Sequence, residues 1–436
     1  MQKNQFSLLK SQRFVPLFIV QFLGAFNDNV FKHALVIWLS YQAITYSDLN
    51  AEKMISLAAG LFILPFFLFS ATAGKLADKY EKSRLIRHIK WVEIVLMIAA
   101  TVAFYAHSVT GLMIILFGLG TQSSFFGPLK YGILPEHLRK TELISGNAWI
   151  SSATFLAILL GTLTGGLLIL AQNGIGIISS IILTCSIIGY LSSLAIPHTQ
   201  AQDSRLNISL NIFKETSTIL KQAKKDPLIW LCIIGISSFW FLGATLLSQI
   251  PIYCKNILNA DEQIVILLLV LFSLGIGVGS LSCNRLLKGK INAKFTLLSV
   301  LVTSLFGLDL YLVSQQMITS TAPFLFTDLS LSLQQWRVLV DITIVAMAGG
   351  VYVVPLYAIL QQQAEQTQKA RTIAATNIIN AIMMTCSALL CMLGYHIKLT
   401  VIDLFLGAFV GHAAIGCYVG KKLKKYHKKD SKGVGV

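Results

Sequence analysis

Hydrophobic residues run along this chain in blocks. Twelve blocks fall near 15–40, 54–74, 85–107, 111–131, 145–171, 174–196, 228–252, 263–287, 294–315, 336–362, 371–394 and 397–420. Each is close to the roughly 20 residues that carry a helix across a bilayer. The pattern predicts an all-α polytopic membrane protein. Short polar intervals separate the blocks. The longest clearly polar one, residues 197–227, divides them into six and six and predicts a short surface helix around 211–225. A second long polar-rich interval runs from Ser314 to Gln335 and holds Asp328.

The first block breaks its own pattern. Its stretch Gln21-Phe22-Leu23-Gly24-Ala25-Phe26-Asn27-Asp28-Asn29-Val30-Phe31-Lys32-His33 sets amides, an acid, a lysine and a histidine near mid-block. Ionised groups at that depth cost a few kcal/mol, so they face a protein interior or a wet cavity. Gln21, Ala25, Asp28 and Lys32 recur at helical spacing and form one stripe. Asp28 precedes Lys32 by four residues, the favourable order for a helical ion pair. Asn27 and Asn29 lie on other faces, toward neighbouring helices. His33 reads as a packed histidine. The stripe reads as the wall of a transport path.

Composition agrees. Charged residues make up 12% of the chain, against about 25% in soluble domains, and the mean hydropathy is +0.70. A formal charge of +16 is compatible with nucleic-acid binding, but the placement of the cations excludes it. Lys75, Lys79, Lys82, Arg84, Arg87 and Lys90 follow the second block. Arg139 and Lys140 follow the fourth, and Arg205, Lys214, Lys221, Lys224 and Lys225 the sixth. Arg285, Lys288, Lys290 and Lys294 follow the eighth, Lys369 and Arg371 the tenth. Lys3, Lys10 and Arg13 precede the first block, and a basic tail follows the last. The alternate intervals hold few. This asymmetry predicts an even number of spans with both termini in the cytoplasm, and membrane lipids as neighbours. The first block is too long for a signal-peptide core, so it reads as an uncleaved helix. The seven cysteines lie in or beside apolar blocks without metal-ligand spacing and read as small core residues. No cofactor or metal is implied, and the chain reads as a monomer.

An internal repeat supports the six-and-six division. Phe125-Phe126-Gly127-Pro128-Leu129-Lys130-Tyr131-Gly132 followed by Gly146-Asn147-Ala148 in the fourth and fifth blocks matches Tyr352-Val353-Val354-Pro355-Leu356-Tyr357-Ala358 followed by Thr376-Asn377-Ile378 in the tenth and eleventh. Each Pro-Leu is read as ending a helix. Two six-helix halves in parallel repeat are the signature of the major facilitator architecture. The expected organisation is a bundle over 1–196, a cytoplasmic linker over 197–227, a second bundle over 228–420 and a basic cytoplasmic tail over 421–436.

Gly74-Lys75-Leu76-Ala77-Asp78-Lys79-Tyr80-Glu81-Lys82-Ser83-Arg84, which joins the second and third blocks, resembles the major facilitator loop motif. The resemblance implies a cytoplasmic gating latch of Gly74, Asp78 and Arg84, with Asp78 near a facing helix end. The counterpart Gly279-Ser280-Leu281-Ser282-Cys283-Asn284-Arg285 has Asn284 where the acid belongs. Lys130, after Pro128, has several readings: a partner for an acid, a gate lock, a phosphate ligand, or a lysine snorkelling to the interface. Asp28 lies about 13 residues into its helix, about 20 Å from that end, which argues against a direct Asp28–Lys130 pair. Glu93 is a weaker candidate for coupling. Gly161, Gly165, Gly166, Gly275, Gly277 and Gly279 form small-residue packing faces.

The first-block motif, together with Pro128-Leu129-Lys130-Tyr131-Gly132-Ile133-Leu134, resembles the bacterial lysophospholipid transporter family. The second half is similar to the transporter domain that some bacteria fuse to an acyltransferase and an acyl-carrier-protein ligase, at Trp240-Phe241-Leu242-Gly243-Ala244, Phe272–Leu281, Phe306–Tyr311 and Tyr352–Ala358. The resemblance implies flipping of lysophospholipids, lysophosphatidylethanolamine above all, across the bacterial inner membrane for reacylation. It implies headgroup recognition or gating by Asp28, Asn29 and Lys130, with Gln21, Asn27, Lys32, Phe126, Tyr131, Trp240 and Asn377 as further candidates. It also implies an aromatic wall from Phe26, Phe125, Phe126 and Trp240 for the acyl chain. The coupling ion, Na+ or H+, stays open. Leu247 stands where stand-alone relatives carry an arginine. The fused enzyme domains are absent, so an acyltransferase partner would be a separate protein. Another amphipathic cargo, a drug or a siderophore, fits the same architecture. A membrane acyltransferase does not, since none of the eight histidines has an acid four residues on.

Overall fold

The computed structural model describes residues 5–41, 51–209, 211–317, 324 and 331–433. Lys3, most of the Ser314–Gln335 interval with Asp328, and residues 434–436 lie outside the described residues. Thirteen α-helices longer than ten residues occur among those described: α1 (Val15–Tyr41), α2 (Ala51–Lys79), α3 (Lys82–Tyr105), α4 (Val109–Gly132), α5 (Leu143–Leu168), α6 (Gly174–Leu194), α7 (Ile212–Lys225), α8 (Pro227–Asn256), α9 (Glu262–Leu287), α10 (Thr296–Met317), α11 (Leu333–Gln363), α12 (Lys369–His396) and α13 (Val401–Gly433). Ten are apolar and long enough to cross a membrane. α7 is short and amphipathic, as its sequence predicts, with Glu215, Thr216, Ile219 and Ala223 on its buried face. The long helices outside the ten are α1 and α3, the pair diluted by buried polar residues.

Local chemistry sets the helix starts. Glu81 caps α3 by accepting from the Ser83 and Arg84 N–H groups at 3.0 and 2.9 Å. Ser108 caps α4 through Gly111. Asp226 caps α8 through Leu228 and Ile229 with Pro227 in the first turn, and Asp261 caps α9 through Ile264. Four boundaries differ from expectation. α2 runs on through Lys79, so Gly74 to Asp78 are helical and only Tyr80 and Glu81 connect it to α3. Pro128 and Pro355 do not end helices but lie inside α4 and α11, where buried neighbours make the lost N–H tolerable. The basic tail continues α13 as helix to Gly433.

The chain forms two compact units. The first holds Met1–Gly146, Leu156–Lys225 and Ala364–Ala381; the second holds Asn147–Phe155, Asp226–Gln363 and Ile382–Val436. In the first unit, α1 packs on α6, α3 on α6 and α2 on α4, around Val30, Phe31, Leu35, Trp38, Phe104 and Leu116. Phe104 meets Phe31 and Trp38 edge-on at 5.7 and 6.3 Å, the arrangement that ring quadrupoles favour. Gly161 lets α5 approach α1 closely: a Cβ there would lie 2.6 Å from the Phe26 carbonyl oxygen. In the second unit, α11 packs on α9 and α10, and α13 on α8 and α10. Leu298, Leu301, Leu305, Leu308 and Leu312 line one exposed edge of α10. In water such a stripe is an aggregation liability; in hydrocarbon it is the contact surface.

Candidate functional site

The polar residues of α1 gather partners from α3 and α4 in the interior of the first unit. Asp28 is 8% exposed and accepts a short hydrogen bond from the Ser123 hydroxyl of α4. Its Oδ1 has no hydrogen-bond partner. Asn27 is fully buried and donates from Nδ2 to Glu93 Oε1 on α3 at 3.2 Å. Gln122 Nε2 donates to Glu93 Oε2 at 2.9 Å, and Lys90 Nζ forms an ion pair with the same oxygen at 2.6 Å. The Phe126 ring covers Lys90 Nζ at 5.3 Å. Gly24 of α1 makes room for that ammonium, since a Cβ there would lie 2.5 Å from it.

Two expectations about α1 change. Among the described residues Asp28 and Lys32 form no ion pair; Lys32 Nζ donates to Asn29 Oδ1 at 3.0 Å and lies over the Phe62 ring at 5.4 Å. Asn29 does not bridge to a neighbouring helix but donates to the Ala25 carbonyl of its own. Lys130 Nζ donates to Gln21 Oε1 at 3.1 Å and lies over the Tyr131 ring at 5.2 Å. Lys32, Lys90 and Lys130 all lie within electrostatic reach of Asp28. Phe126 belongs to the charged centre rather than to an apolar wall. Phe125 packs with Phe69 and Phe26 stacks on Phe22. In the second unit Trp240 stacks on Phe155 at 5.9 Å, with its ring N–H unpartnered.

A second set of polar contacts lies at one end of the first unit. The Asp78 carboxylate accepts the backbone N–H groups of Ala370 and Arg371, both at 3.1 Å, and the Arg371 Nε at 3.0 Å. It therefore sits on the first turn of α12, where the helix dipole favours an anion. Gly74 permits the approach: a Cβ would lie 2.5 Å from Ala374 Cβ and 3.1 Å from Arg371 Cα. Arg84 is not part of this contact; it is exposed at the start of α3. Asn377 of α12 packs on Gly127 of α4 so closely that no Cβ fits there. The related position of the repeat, Asn147 of α5, exchanges two hydrogen bonds with Gln361 of α11 at 2.6 and 3.1 Å, within the second unit.

Several of these partners escape a reading by hydropathy and charge. Lys90 is not a loop cation: it lies eight residues into α3, about 12 Å along the helix, and is fully buried. Lys82 is also buried, ion-paired with Glu136 at 2.7 Å. The signal for Lys90 is its spacing, three residues before Glu93 on one helical face. Gln122 carries one as well, as the only amide of the fourth block. Nothing local marks Arg371.

A family model described as Major Facilitator Superfamily matches residues 17–388. The chain is 26% identical over 365 residues to the lysophospholipid transporter of Enterobacter sp. (strain 638), covering 82% of each. It is 23% identical over 402 residues to that of Escherichia coli O157:H7 (strain EC4115 / EHEC), covering 89% of each. The fold is similar to a solved major facilitator transporter, FucP, in the outward conformation. The TM-score is 0.69 at 11% identity, with 94% of this chain and 97% of that one covered.

Proposed function

This chain belongs to the major facilitator superfamily, and from that premise we propose that it moves lysophospholipids across the bacterial inner membrane by alternating access. The reading is carried by one observation, a carboxylate held at the middle of α1, nearly buried, among three lysines. A lysophosphatidylethanolamine head carries an ammonium and a phosphate, so it needs an anion and a cation within a few ångströms of each other. Asp28 answers the ammonium. Lys130, tethered to Gln21 on the same helix as Asp28, answers the phosphate, with Lys32 and its partner Asn29 on the far side of Asp28 along α1. The names of the similar proteins point to the same cargo class. Leu247 leaves the phosphate to the lysines, without help from an arginine in α8.

In this reading Gly74 and Asp78 hold the first turn of α12 while the path is closed at that end, and release it when the path opens. That end faces the cytoplasm with both termini, the product side is the inner leaflet, and a separate acyltransferase completes the phospholipid. Asn377, Tyr131 and Trp240 are secondary candidates along the path.

The test is uptake of labelled lysophosphatidylethanolamine into proteoliposomes with and without a sodium or proton gradient. Gradient-dependent uptake by the wild-type chain is expected. In Asp28→Asn, folded by its melting profile, uptake falls by about tenfold or more, the effect of losing an interaction of about 1.4 kcal/mol. A wild-type chain that moves no lysophospholipid under any gradient overturns the cargo assignment.

A further inference from the structure

Lys90 and Glu93 are 0% and 1% exposed and lie near mid-helix, where neither charge meets water. Such a pair is weak evidence for stability, because apolar residues of the same size often serve as well or better. Its surroundings are nonetheless built in detail. Glu93 takes donors from three helices: Asn27 of α1, Lys90 of α3 and Gln122 of α4. Gly24 opens a notch for the Lys90 ammonium and Phe126 covers it. The network continues toward Asp28. Gln122 donates from Nε2 to Glu93, and its Oε1 accepts from the Ser123 hydroxyl at 3.2 Å. The Ser123 hydroxyl has one hydrogen and two acceptors in reach, Gln122 Oε1 and the Asp28 carboxylate.

We propose that Lys90 and Glu93 are positioning residues for Asp28: Glu93 fixes the Gln122 amide, Gln122 and Asp28 share the single Ser123 hydrogen, and Lys90 lets two acids occupy one buried network. The proposal rests on reading Asp28 as the acid that meets the cargo. When a cationic group occupies Asp28, the hydroxyl turns to Gln122 and leaves no orphaned hydrogen; when the group departs, it turns back. The charged and polar groups facing Asp28 are Lys32 from α1, Lys90 and Glu93 from α3, and Ser123 and Lys130 from α4.

The experiment needs no cargo. Dicyclohexylcarbodiimide reacts with protonated carboxyls in apolar surroundings, and mass spectrometry of the full chain locates the adduct. In Glu93→Gln the unpaired Lys90 charge holds Asp28 ionised, and its labelling falls about threefold or more. In Lys90→Met two acids face each other, and summed labelling of Asp28 and Glu93 rises. The double variant, which buries no unpaired charge, returns to within about twofold of wild type. If a single variant fails to fold, the neutral Gln122→Leu decides: Ser123 then serves Asp28 alone, and Asp28 labelling falls. Asp28 labelling that stays at the wild-type level in Glu93→Gln and Gln122→Leu, or summed labelling of Asp28 and Glu93 that does not rise in Lys90→Met, overturns the proposal. Loss of the lysophospholipid assignment leaves this result standing, and the reverse also holds.

Discussion

Asp78 and Arg371 are 293 residues apart in sequence and joined two ways, carboxylate to guanidinium and carboxylate to the Arg371 backbone N–H; the same carboxylate also accepts the Ala370 N–H just before it. The acid is thus both the ion-pair partner of Arg371 and the cap of the helix that carries it. Removing it leaves a largely buried guanidinium and two orphaned helix N–H groups. Breaking a buried pair by deleting one partner costs about 3–5 kcal/mol. Arg371 also donates to the Thr367 carbonyl and to Asp203, so Asp78→Ala is expected near the low end, at about 3 kcal/mol. Asp78→Asn keeps an acceptor for the backbone and loses less. Thermal unfolding of the two purified variants checks the order; equal melting of both with wild type removes the contact from any account of stability.

Gly165 and Gly166 are neighbours on α5 with opposite surroundings. A Cβ on Gly165 overlaps the Val30 carbonyl oxygen, a backbone atom that cannot swing aside, whereas at Gly166 the nearest atom is 4.0 Å away. Gly165→Ala therefore pushes α5 off α1 and costs about 1–3 kcal/mol through overpacking. Gly166→Ala fills open space and gains helix propensity, up to about 1 kcal/mol. Yield and melting temperature of the two variants should move in opposite directions; a shared direction contradicts the close approach.

These two glycines also mark the limit of what the sequence discloses. It shows a small-residue face at 161, 165 and 166 but not which member touches backbone, because that depends on where α1 passes. The apolar blocks are legible to within a few residues because the requirement for about 20 apolar residues is local. Their ends are less so: α2 reaches Lys79 and α8 reaches Asn256, past blocks that end at 74 and 252, since a helix can continue beyond the hydrocarbon. Asp28 stands out because an acid amid apolar residues needs an explanation. Lys90 and Arg371 do not, because counting loop cations ignores depth and partner. Lys90 finds Glu93 only on one particular helical face, and Arg371 finds Asp78 across most of the chain.

Asn147 and Gln361 exchange amide hydrogen bonds in the interior of the second unit. Hydrogen bonds between membrane helices give about 0.6–2 kcal/mol, and that is the penalty of removing either partner of this pair. Asn147→Leu and Gln361→Leu should each destabilise by about that penalty. The double variant should cost less than their sum, with a coupling of about 1 kcal/mol. A double-mutant cycle of melting temperatures measures it, and strict additivity shows that the two amides act separately.

Glu81 links the start of α3 to the segment after α6. Its carboxylate accepts from the Ser83 hydroxyl and N–H, the Arg84 N–H, and the Thr199 N–H and hydroxyl. Partial burial works to raise its pKa, but these hydrogen bonds outweigh it and hold the group at about 2 instead of the usual 4.5. A pKa depressed by folding stabilises the folded state wherever the unfolded group would be ionised. The contribution is therefore complete above about pH 4.5 and is lost as the pH falls from there toward 2. Glu81→Gln retains the shape and some acceptor capacity but does not titrate. Wild type should thus lose more stability than Glu81→Gln between about pH 5 and about pH 3, with the gap between them narrowing on acidification. Melting curves across that range test this. A gap that is constant with pH shows that the capping carboxylate contributes through shape alone.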